Sequence, residues 1–75
     1  MTHYSGITSD LEGRKKEHQA DKIKKNMRNW TLANGGKPFF SRSAAQAWEN
    51  TQPGEHYPSG APADGPYFGY SFDYD

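Results

Sequence analysis

Seventy-five residues with zero net charge, no cysteine and only eight residues drawn from Ile, Leu, Val and Phe allow one domain at most and little aliphatic core. A disulfide framework is excluded, and His3, His18 and His56 are too widely spaced for a zinc-ligand pattern. No apolar run approaches the roughly 18 residues of a membrane span, and "MTHYSGITSD" has neither the basic nor the apolar part of a secretory leader, so a non-secreted soluble chain is expected, cytoplasmic or carried in a particle.

Residues 1–9 read as an irregular N-terminal arm. Ser9-Asp10-Leu11-Glu12 is a capping-box pattern, and Asp10 and Glu12 suit the positive end of a helix dipole. A long helix is therefore predicted over about 10–34. Ala20, Ile23, Met27 and Trp30 recur at helical spacing, with Arg14, Lys15, Lys22, Lys25 and Arg28 off the stripe. Asn34-Gly35-Gly36 supplies a left-handed stop, and Pro38 makes continuation unfavourable. Asn29-Trp30-Thr31 matches a glycosylation sequon, which the lack of a leader leaves unused.

After the turn come Phe39-Phe40 and a second, weaker capping box, Ser43 with Gln46, opening a short helix over about 44–50. The two helices are expected to fold back into a hairpin-like region, residues 10–50. Ile23, Met27, Trp30, Phe39, Phe40 and Trp48 would form its mini-core or a face for a partner.

Residues 51–75 read as an extended strap. Pro53, Pro58, Pro62 and Pro66 alternate with Gly54, Gly60, Gly65 and Gly69, which forbids a long helix. At its end Phe68, Tyr70, Phe72 and Tyr74 alternate with Gly69, Ser71, Asp73 and Asp75, the period of a β-strand over 67–74 with one aromatic face. The fold class predicted is mostly α with an extended, irregular C-terminal half and little independent core.

The zero net charge conceals an asymmetry. Residues 14–42 hold all nine Lys and Arg against Glu17 and Asp21, net +7, while residues 43–75 hold five acids and no Lys or Arg. The basic run, with Arg14, Lys15, Lys22, Lys25 and Arg28, could contact phosphates or an acidic surface, the chain's own acidic tail included. Its plainest reading is a solvated helix face.

Catalysis is not expected, because no nucleophile, base and carboxylate stand at a workable spacing. "GGKPFFS" fails as a phosphate loop, with Thr31 where the first glycine belongs and Pro38 after the lysine. Neither cofactor, metal nor small-molecule substrate is indicated. The aromatic tail, Tyr67, Phe68, Tyr70, Phe72 and Tyr74, would be an aggregation hazard if left bare. Either the chain folds it back on itself or a partner covers it.

The reading favoured is a small non-enzymatic accessory protein docked through this strap onto a larger assembly, such as a virion or another multi-subunit complex. The alternatives are an inhibitor, such as one encoded by a phage, lodged in a groove of a host protein, and a nucleic-acid-binding protein that uses residues 14–28.

Overall fold

In the computed structural model the first and last segments of the chain lie side by side. The structure describes residues 1–24, 26–56 and 62–75. Their elements are β1 (Thr2–Thr8), α1 (Leu11–Ala20), β2 (Arg28–Leu32), a 3-10 turn (Ala33–Gly36), α2 (Arg42–Asn50), β3 (Glu55–His56) and β4 (Phe68–Tyr74). Two helices flank a four-stranded sheet of order β2-β4-β1-β3, so the mostly α expectation gives way to a mixed α/β domain.

Residues 1–9 are no irregular arm, because Thr2–Thr8 runs antiparallel to β4 along its whole length, from Thr2 opposite Tyr74 to Thr8 opposite Phe68. This pairing places Tyr4 and Gly6 on the face that carries Phe68, Tyr70, Phe72 and Tyr74. Gly6 is needed there, since a Cβ would run into the Tyr70 hydroxyl. On the opposite face Gly69 leaves room for Trp48, whose ring would lie 2.8 Å from an added Cβ. α1 covers the aromatic face through His18, and α2 covers the other through Trp48 and the fully buried Ala45.

The predicted long helix stops at Ala20 rather than near 34. Asp10, not Ser9, is its N-cap, accepting from the Gly13 amide at 3.2 Å. At the other end the Asp21 carboxylate accepts from the Ile23 amide at 2.9 Å and from Lys24 Nζ at 3.1 Å. That local turn competes with helical hydrogen bonding. Asn26 and Asn29 then take positive φ, and Arg28–Leu32 extends as β2. The pairing with β4 shifts between Arg28 and Thr31, so Asn29 sits in a bulge of this edge strand. The Asn34-Gly35-Gly36 turn has positive φ at all three residues, as its composition suggests, but it closes a strand and not a helix.

α2 begins two residues earlier than expected. Ser41 is its N-cap, accepting from the Ala44 amide at 3.1 Å. The predicted helical hairpin is absent, because the sheet separates its two tryptophans. Trp30 stacks on Tyr70 at 5.0 Å with the aromatic face, whereas Trp48 lies on the Gly69 side and meets Phe39 at 5.7 Å. The core is aromatic: Tyr70, Phe72 and Tyr74 are buried, with Tyr4, Leu11, Met27 and Trp30 packed against them. The missing aliphatic volume is thus supplied by rings of about 150–250 Å² each.

Candidate functional site

Three arrangements of side chains stand out. The first lies between α1 and the aromatic face. His18 is buried, with Phe72 at 4.8 Å and Tyr4 at 5.0 Å between ring centroids, and its Nε2 shares a hydrogen bond of 2.9 Å with the Tyr70 hydroxyl. Burial, followed by the charges of Lys24 and Arg14, pushes the imidazole down to about 4, so it is neutral at pH 7. Burial holds the Tyr70 phenol well above its ordinary value, with Tyr4 adding to the effect. Lys24 Nζ stands 5.2 Å over the Tyr4 ring and 5.8 Å over Tyr74, and Lys15 Nζ stands 5.4 Å over Trp30.

The second arrangement lies under α2. Asp73 accepts from His3 Nδ1 at 2.8 Å, which places the imidazole proton there and leaves Nε2 facing Ser5 Oγ at 3.4 Å. Carboxylate, imidazole and hydroxyl therefore stand in relay order, a set that 70 residues of separation hide from sequence reading. Ser5, however, has no exposed surface, so no substrate reaches its oxygen. The chain instead ties the first strand to the last. Asn29, ahead of His3, holds the Asp73 carboxyl below its ordinary value. Nearby, Glu49 on α2 is 1 % exposed, with Oε1 unpartnered, and His56 Nδ1 on β3 is unpartnered too. Burial raises the Glu49 carboxyl, and the His56 charge offsets part of that rise. Among the described residues no three His, Asp or Glu side chains are grouped as a metal site.

The third arrangement is outside. Phe40 is fully exposed, at 101 % of its reference area, and its ring touches no other ring among the described residues. Its neighbours on both sides are fixed. Phe39 donates its amide to the Tyr67 carbonyl at 2.7 Å, and Ser41 caps α2. Phe40 thus projects from a short, anchored stretch of backbone.

The residues singled out in the sequence separate accordingly. Of the tail, Tyr70, Phe72 and Tyr74 are interior, while Tyr67 and Phe68 are half-buried. The rings that seemed to need a partner are covered by β1, β2 and α1. Met27 and Trp30 join this core, Phe39 packs on Trp48, and Ile23 stands out at 77 % exposure. Of the basic set, Arg14 pairs with Glu17 at 3.2 Å and Arg28 with Asp75 at 2.7 Å. Lys15 lies over Trp30, Lys22 is exposed, and Lys25 lies outside the described residues. The acidic tail and the basic segment therefore do meet: Asn26, ahead of Arg28, holds the Asp75 carboxyl down. His3, His18, Ser5, Glu49 and His56 were not foreseen as neighbours of anything. Only their polarity in a chain so short of apolar residues marked them.

Among the described residues no helix is long and apolar enough to cross a membrane. Comparison of the chain with protein-family models, curated proteins and solved structures returned no match.

Proposed function

We propose that this chain is a small non-enzymatic accessory protein that docks on a larger protein assembly, such as a virion or another multi-subunit complex, and that Phe40 is its anchor. The observation that carries the reading is the full exposure of Phe40 beside a backbone pinned on both sides. Phe is among the residue types most often buried. A ring held out on rigid backbone loses little conformational freedom when a partner covers it, which is how anchoring aromatics contribute most to an interface. The strap reading loses its support, because the tail's rings are occupied inside the chain. A non-enzymatic role is supported by the burial of Ser5, which withholds the hydroxyl that stands in relay with His3 and Asp73.

The test is sedimentation of the full-length protein from the cells that make it, wild type against Phe40→Ala. Wild type should travel with a large complex at fixed stoichiometry, and the variant should sediment as free protein with an unchanged melt. A one-to-one complex with a single protein would favour the inhibitor instead. Equal sedimentation of the two forms would remove Phe40 from the reading.

A further inference from the structure

We infer that the surface receiving Phe40 is an apolar socket rimmed by carboxylates on a folded protein. The inference rests on the docking reading above and adds the partner's chemistry. It starts from where the chain leaves its charges unmatched. On the side of α1, β2 and the end of β4, three cations meet acids: Arg14 with Glu17, Lys24 with Asp21 and Arg28 with Asp75. Around Phe40 the sequence offers no local acid: from residue 29 to residue 48 the chain holds Lys37 and Arg42 and no Asp or Glu.

Lys37 and Arg42, three residues before Phe40 and two after it, are exposed, and neither has a carboxylate partner among the described residues. Both α-carbons are within about 11 Å of that of Phe40, the reach of three extended residues. The N-terminus of α2 lies at Ser41–Arg42, directly after Phe40, so the positive end of its dipole is close by along the chain.

A phenyl ring between two unpaired cations and a helix N-terminus selects among partners. A socket with a basic rim would bring like charges together as the ring is buried, and a neutral rim would leave Lys37 and Arg42 to lose water without compensation. An acidic rim pairs both, and it also steers the encounter before the ring seats.

Carboxymethyl-β-cyclodextrin, an apolar cavity rimmed by carboxylates, is a defined probe of this chemistry, with neutral β-cyclodextrin as control. Binding is read from amide chemical shifts of the full chain. The charged host should bind about tenfold more tightly at low salt, an advantage lost in 0.5 M salt and in Lys37→Gln/Arg42→Gln. Phe40→Ala should bind neither host. Equal binding of the two hosts overturns the acidic-rim inference while leaving the docking reading intact. Failure of both hosts to shift residues 39–42 removes the anchor and the docking reading with it. In cells, p-benzoylphenylalanine at position 40 should crosslink to a protein segment that carries Asp or Glu beside apolar residues. A crosslink to nucleic acid, to lipid, to a second copy of this chain or to a segment without carboxylates counts against it.

Discussion

His18 on α1 and Tyr70 on β4, fifty-two residues apart, share a hydrogen bond of 2.9 Å in the middle of the aromatic core. It joins the basic helix to the acidic tail strand, and burial keeps its imidazole neutral at pH 7. The sign of the resulting pH dependence follows. An unfolded His18 takes up a proton near its ordinary value of 6.5, whereas the folded one resists until about 4. Between these values the unfolded state holds more protons, so this group's contribution is complete above pH 6.5 and is lost as pH falls towards 4. Urea denaturation at pH 7.5, 5.5 and 4.5 should show that fall in wild type and a smaller one in His18→Gln. Parallel curves would mean that His18 titrates alike in both states.

Phe72 and Phe40 should respond in opposite ways to truncation. Phe72 is fully buried between Tyr4, His18, Trp30 and Tyr74, so Phe72→Ala should cost about 3–5 kcal/mol. Phe40→Ala removes a fully exposed ring and should stay within about 0.5 kcal/mol. Chemical denaturation of both variants checks the pair. A loss of stability in Phe40→Ala comparable to that in Phe72→Ala would place Phe40 in the core.

These two rings also show what could be read from the sequence. The alternation of Phe68, Tyr70, Phe72 and Tyr74 marks a strand with one face to be covered, but it cannot say by what. The cover is β1, whose Thr, Ser and Gly residues give no apolar alternation and whose pairing spans nearly the whole chain. The 3-4-3 spacing of Ala20, Ile23, Met27 and Trp30 imitates a helix stripe, yet Asp21 turns the backbone first, leaving Ile23 exposed and Trp30 in a strand. At Phe39-Phe40 only one ring can face inward. The bridge to Tyr67 settles which, and no local pattern announces it. The starts of both helices, by contrast, are visible to within two residues, because capping is local chemistry.

Removing the tail should unfold the whole chain. β4 is an inner strand with β1 on one side and β2 on the other. Truncation after Gly65 would strip both of their partner and take away the three buried rings. Circular dichroism of the truncated protein should lose the signal of α1 and α2 along with that of the sheet. Retention of a native helical signal would show that the helices do not need the sheet.

Gly6→Ala should destabilise by about 1–3 kcal/mol, the usual cost of overpacking a filled core. Its Cβ meets the Tyr70 hydroxyl, which is already committed to His18 and has little freedom to move. Pairing the change with Tyr70→Phe should recover part of the loss, since the clashing oxygen is gone. Additive losses in the double variant, measured by chemical denaturation, would point to strand propensity instead.

Glu49 provides a pH response of opposite sign to that of His18. Its carboxyl is 1 % exposed, Oε1 has no hydrogen-bond partner, and burial raises it above the ordinary 4.5 against the opposing charge of His56. The unfolded carboxyl ionises first as pH rises, so from 4.5 up to the raised folded value the native state holds more protons and stability falls with pH. Glu49→Gln removes the charge and keeps the shape. It should be more stable than wild type by roughly 1 kcal/mol at pH 7.5, with the difference fading towards pH 4. Combined with His18→Gln, it should give a stability profile flatter than either single variant between pH 4.5 and 7, because each single variant keeps one of the two slopes and the double variant keeps neither. Should Glu49→Gln instead be less stable at pH 7.5, the buried carboxylate is paired with a charged His56, and the two act as an ion pair clamping α2 to β3.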